Sequence, residues 1–140
     1  NELMYTMHNH EEAPGYGFQL KFGATTLTEQ WDPRQGSSWN HFMMGQIDEW
    51  FFHSLAGIQM SDKYPGMKHF IIDPQPVGDL TSVSSVTHTL YGKVAVDWIR
   101  KDGTYSVKVS VPIGCTAAVV MPDGSCHTVK SGEYTFECKF

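Results

Sequence analysis

The spacing of apolar residues changes period part-way along the chain, and that change limits what the chain can fold into. Phe42, Met43, Ile47, Trp50, Phe51, Leu55 and Ile58 recur at intervals of three and four, as on one face of a helix. Beyond Ile58 the interval drops to two, and Gly, Pro and Asp punctuate the chain at short spacings. A helix period followed by a strand period predicts an α+β chain: a helical segment over residues 1–60, then an antiparallel β-sandwich over residues 61–140.

The predicted helix starts near Ser37 or Ser38, whose hydroxyls can accept from an unpaired first-turn N–H, and stops at Gly57, where a left-handed residue is expected. With a rise of about 1.5 Å per residue it spans roughly 30 Å. Trp39, Met44 and Phe52 make it apolar on further sides, so it needs neighbours on more than one face. The rest of the first 58 residues supplies few. Asn1 to His8 is ambiguous, the end of a helix being one option, and the stretch 15–27 reads as a loop leading into a short helix or as a hairpin with Phe18 and Leu20 on one face and Gln19 and Lys21 on the other. The segment is therefore expected to be part of a larger helical domain.

In the second half, Met67 to Asp73 and Leu80 to Leu90 read as strands. Val94, Val96, Trp98 and Arg100 alternate with polar or small residues up to an Asp102-Gly103 turn, and Tyr105, Val107, Val109 and Val111 alternate after it. Cys115 to Met121, Cys126 to Val129 and Tyr134 to Phe140 complete a set of short strands, each with one face for a core and one for water.

Composition removes several functions. A net charge of −5, with 10 Lys and Arg and no basic run, excludes a phosphate-backbone binder, so no nucleic-acid partner is expected. No apolar run reaches the length of a membrane span, and the first residues lack the basic start and apolar run expected of a signal peptide. His8, His10, Glu11 and Glu12 fit no metal-ligand spacing, and no phosphate-loop, dinucleotide or nucleophile-elbow pattern occurs; no metal and no cofactor are expected. Cys115, Cys126 and Cys138 cannot all pair internally and leave the compartment open, with a periplasmic or secreted location favoured over a cytoplasmic one.

The chemistry-bearing residues cluster before the helix. Glu29 follows the small run Gly23 to Thr26 and precedes Trp31 by two positions. A carboxylate beside an indole suits carbohydrate hydrolysis, the ring offering a platform for a sugar face while the carboxylate activates water. Asp32 competes for that role, although Asp before Pro is equally a turn former. Trp39 is a second candidate stacking surface, and Asn40 and His41 stand at the predicted first turn, where a neutral imidazole is favoured and can donate to a sugar hydroxyl.

Four ordered motifs, GATTLTEQWDP, SSWNHFMMGQIDEWFFHSLAGI, PGMKHFIIDPQPVGDL and VPIGCTAAVVMP, give the chain a resemblance to the C-terminal part of bacterial α-L-rhamnosidases, inverting glycoside hydrolases. The resemblance implies that residues 1–60 end an (α/α)₆ barrel that carries the active site and that residues 61–140 form the β-sandwich following it. It implies a general-base role for Glu29, with Trp31, Asn40 and His41 binding a rhamnose-containing substrate. Thr28 departs from the family, many members of which carry Trp there, and this implies an altered pocket wall. The family's general acid lies upstream, so the 140 residues alone are expected to be inactive. The alternative reading is a carbohydrate-binding or structural β-sandwich module. Self-association through the exposed barrel helix is also expected.

Overall fold

The computed structural model describes residues 1–36 and 38–140, so the expected cap at Ser37 lies outside the described residues. It divides into two compact units, Asn1–Asp48 and Glu49–Phe140. The first contains two short helices, α1 (Glu2–His8) and α2 (Tyr16–Lys21), and a 3₁₀ turn at Pro33–Gln35. Of the readings open for Asn1 to His8, the helical one is realised, with Asn1 at the N-cap of α1. For residues 15–27, the loop-and-short-helix alternative is the one realised.

The long helix is not. Its stretch resolves into a 3₁₀ piece at Phe42–Gln46, one α turn, α3, at Ile47–Trp50, and a π turn at Phe51–Leu55. The Ser38 hydroxyl is not at the capping position: that position is His41, which makes no side-chain capping bond. The reason lies in pitch. A 3₁₀ turn holds about three residues, and a π turn closes through an i→i+5 bond, here from Ala56 N–H to Phe51 C=O at 2.9 Å. Positions three and four apart then no longer share one face. Phe42 and Met43, counted on the buried stripe, are mostly exposed, whereas Ile47 and Leu55 are buried. Among the described residues no helix is long and apolar enough to cross a membrane.

Ile58 is not helical either. Gly57 takes φ 74°, and the chain leaves the π turn as a strand, β1 (Ile58–Met60). A side chain at Gly57 would place its Cβ 2.2 Å from the Pro74 nitrogen, while the Gly57 carbonyl accepts from Asp73 N–H at 2.9 Å. Both the left-handed backbone and this close approach require glycine.

The second unit is an eight-stranded, two-sheet sandwich. The remaining strands are β2 (His69–Ile72), β3 (Ser82–Thr89), β4 (Gly92–Lys101), β5 (Thr104–Val111), β6 (Thr116–Val120), β7 (Cys126–Val129) and β8 (Gly132–Lys139). One sheet has the order β1-β2-β6-β7 and the other β3-β4-β5-β8. All pairings are antiparallel except β2 with β6, which run parallel from His69 opposite Thr116 to Ile72 opposite Val119. The all-antiparallel expectation fails at that one pairing, because which strands become neighbours across a sheet is decided far apart in sequence.

Alternation fixes the core. Val94, Val96 and Trp98 on β4 and Tyr105, Val107, Val109 and Val111 on β5 point inward against Ile58, Phe70, Ile72, Ala117 and Val119 of the other sheet. The β4–β5 hairpin closes on Asp102 and Gly103, both at positive φ (51° and 73°), the two-residue turn whose twist matches that of the strands. Trp98 ties this core to the preceding π turn: its ring is fully buried, and Nε1–H donates to the Leu55 carbonyl at 2.7 Å. The three cysteines are free thiols.

Candidate functional site

The candidate residues sit on two stretches of the first unit that run side by side. His41 N–H donates to the Leu27 carbonyl at 2.8 Å, and Glu29 N–H donates to the Ser38 carbonyl at 2.9 Å. The Thr26 hydroxyl adds a bond to the Trp39 carbonyl. These rungs clip the backbone carrying Glu29 against the backbone carrying Asn40 and His41, which the sequence separates by more than ten residues. Glu29 and Asn40 are exposed and His41 is half-buried. The Asn40 N–H donates to Ser38 Oγ at 3.4 Å, a weak local turn bond.

Trp31 is half-buried and meets the edge of Tyr16, the ring centroids 5.6 Å apart at 72°; Tyr16 in turn faces His8 at 5.2 Å. Such T-shaped pairs place a positive ring edge on a negative ring face. Tyr16 is anchored by its hydroxyl, which donates to the Met44 carbonyl. Burial and then the nearby Asp48 carboxylate push its phenol pKa up, and burial lowers that of His8. Sequence reasoning passed over Tyr16; the only signal available was an aromatic between two glycines.

Asp32 is accounted for by local structure. It caps the 3₁₀ turn by accepting from Arg34 N–H at 3.0 Å, and its two oxygens take Arg34 Nε–H at 2.8 Å and Nη2–H at 2.7 Å. The Arg34 side-chain hydrogen bonds hold its carboxyl below the usual aspartate range. The guanidinium also lies over the Phe22 ring, 3.8 Å from the centroid. A carboxylate forked by arginine and committed to a turn is a poor proton carrier, so Asp32 does not compete with Glu29.

Thr28, expected at a pocket wall, is buried instead, with its hydroxyl donating to the Gln30 carbonyl at 2.7 Å. Trp39 is half exposed, and its carbonyl, not its ring, is what the rung to Thr26 uses. No group of three or more His, Cys, Asp or Glu side chains able to hold a metal ion occurs among the described residues.

Residues 57–136 match the model of the bacterial alpha-L-rhamnosidase C-terminal domain, and residues 1–55 match that of the bacterial alpha-L-rhamnosidase 6 hairpin glycosidase domain. The chain belongs to the bacterial alpha-L-rhamnosidase family. It is 32% identical to an alpha-L-rhamnosidase of Formosa agariphila over 96% of the chain and 28% identical to one of Streptomyces avermitilis, also over 96%. It spans only 15% and 14% of the length of those relatives.

Among solved structures, the alpha-L-rhamnosidase from Dictyoglumus thermophilum superposes with a TM-score of 0.89 at 27% identity, covering 99% of this chain and 19% of that one. The Streptomyces avermitilis alpha-L-rhamnosidase complexed with L-rhamnose gives the same TM-score and identity, covering 99% of this chain and 16% of that one. In this member of the family the architecture is accordingly the tail of an α/α barrel followed by a two-sheet sandwich.

Proposed function

We propose that this chain supplies the general base of a glycoside hydrolase that releases terminal α-L-rhamnose with inversion. Glu29 takes a proton from the attacking water as its oxygen bonds to the anomeric carbon. A second carboxyl, contributed by the rest of the enzyme, protonates the departing glycosidic oxygen. Asn40 and His41 hydrogen-bond the sugar, and Trp31, backed by Tyr16, offers its ring to the sugar face. Inversion needs two carboxyl groups about 6.5–9.5 Å apart. Asp32, the acid nearest Glu29 in sequence, is committed to Arg34, so the 140 residues alone do not turn over.

The observation that supports the reading is the clip, with its 2.8 and 2.9 Å rungs, which joins the backbone carrying the exposed Glu29 to the backbone carrying Asn40 and His41. The test is Glu29→Gln in the full-length enzyme with an aryl α-L-rhamnoside. General-base catalysis is worth about 10²–10⁴-fold, so kcat falls by at least 10²-fold. Turnover near that of the unsubstituted enzyme overturns the assignment, and saturable rhamnose binding with no dependence of turnover on Glu29 replaces the hydrolytic role with a binding one.

Self-association belongs to the same reading. Leu55 is buried within its own unit, but Phe51 and Phe52 remain about two-fifths exposed, at 43% and 44%. Two neighbouring exposed rings favour pairing between copies of the isolated chain. A single monomeric boundary in sedimentation velocity across a wide concentration range would refute it.

A further inference from the structure

Buried polar side chains are scarce among the described residues: Gln19 on α2 and Thr28 are the two fully enclosed ones, at 3% and 2% exposure. They are neighbours in function as well as in space. Gln19 Nε2–H donates to the Thr28 carbonyl at 3.3 Å and to the Gln30 carbonyl at 3.2 Å. A primary amide has two N–H donors, and here both go to the carbonyls on either side of Glu29. The Thr28 hydroxyl adds its own bond to the Gln30 carbonyl. The Gln19 backbone carbonyl accepts from Ala24 N–H at 3.0 Å, so one residue holds both ends of the stretch Ala24 to Gln30.

Residue 28 is turned inward and residue 29 outward. With the carbonyls of the residues before and after it, Thr28 and Gln30, held by Gln19, and its own N–H held by the Ser38 carbonyl, Glu29 has little backbone freedom left. Its carboxylate is presented to solvent from a stationary base. A side chain supported in this way keeps a reactive geometry that a free loop would lose, and a displacement of about 1 Å costs on the order of 10²-fold in rate.

We propose that Gln19 is a positioning residue for Glu29, its amide setting where the base stands. This rests on the general-base reading of Glu29 and extends it to a residue that touches no substrate.

The test uses the full-length enzyme and Gln19→Met, which keeps length and volume and removes both donors. A positioning role lowers kcat for an aryl α-L-rhamnoside by about 10- to 100-fold and leaves KM within about threefold, because the sugar contacts are intact. Azide supplies the readout that a general loss of structure would not move. As an anion it attacks the anomeric carbon directly: the N–C bond forms, the glycosidic C–O bond breaks, and the leaving oxygen keeps the electron pair and takes the acid's proton. No proton is removed from the nucleophile, so a displaced base no longer matters. Azide is expected to restore turnover both in Gln19→Met and in Glu29→Ala, yielding the β-rhamnosyl azide.

A kcat within threefold of the unsubstituted enzyme, or a fallen kcat that azide leaves unchanged, overturns the positioning role. Unimpaired turnover in Glu29→Ala overturns the base reading itself and is told apart by that control. Should Gln19→Met fail to fold, Gln19→Asn retains the amide but shortens its reach by one methylene, and the same fall in kcat with azide rescue is required of it.

Discussion

Replacing Trp98 by Phe should cost the sandwich a large share of its stability, and the structure indicates how much. The Trp98 ring has no exposed surface, and its only polar atom donates to the Leu55 carbonyl at 2.7 Å across a buried contact. Phe keeps part of the ring but donates nothing. The Leu55 carbonyl is left enclosed and unpaired, which costs about 1–3 kcal/mol, and the smaller ring leaves a void that adds about 1 kcal/mol on the scale of buried large-to-small changes. A loss of at least about 2 kcal/mol follows. The unit Glu49–Phe140 falls in the size class in which each kcal/mol moves Tm by about 4–8 °C, so its melt should drop by roughly 8–16 °C. Near-ultraviolet circular dichroism or calorimetry reads the melt, and amide exchange at Phe51 to Leu55 should quicken selectively, since that turn loses its tie to the core. A drop under about 3 °C would refute the argument that this indole anchors the π turn.

Tyr105 makes the opposite case. Its hydroxyl is buried without a hydrogen-bond partner, and burial, followed by the neighbouring Cys138 and Asp73, pushes its pKa far up; Tyr105→Phe should leave stability unchanged or raise it by about 1 kcal/mol, and a Tm fall beyond about 5 °C contradicts this. Gly57→Ala meets both a left-handed backbone and a Cβ contact of 2.2 Å, so a loss greater than about 2 kcal/mol is expected in denaturant titration, with a loss under about 0.5 kcal/mol disproving it. The Arg34 hydrogen bonds lower the Asp32 pKa in the folded state; the ion pair's contribution is thus present above the unfolded value of about 3.9 and disappears as pH falls through the lower folded value. Carboxyl carbon NMR should show an Asp32 midpoint below 3.9 that rises in Arg34→Ala, and equal midpoints in the two proteins would exclude the ion pair in solution.

Gln19 shows how little of the site's support can be read from sequence. Its neighbour Leu20 is apolar and yet 70% exposed, while Gln19 is 3% exposed. Hydrophobicity assigns those two positions the wrong way round, because the enclosed position offers two backbone carbonyls that need donors and no aliphatic side chain can satisfy them. Glu29, Trp31, Asn40 and His41 were legible as a motif, since the order of residues along the chain carries it. The joining of the Glu29 backbone to that of Asn40 and His41 was not, because rungs such as Leu27 to His41 join positions through backbone groups that every residue possesses.

The sequence by itself determined the sandwich strands after β1 and the inward faces of β4 and β5. Alternation such as Val94, Val96, Trp98, the Asp102-Gly103 turn and Gly57 at the helix exit each act over a few residues, through side-chain direction or backbone angle. Only the tertiary structure decided which strands became neighbours, as in the parallel pairing of β2 with β6, and how tightly residues 42–55 wind. Partner choice and helical pitch are settled by burial and hydrogen bonding between distant groups, as when Trp98 captures the carbonyl of Leu55, and no local pattern encodes a bond whose two ends lie 43 residues apart.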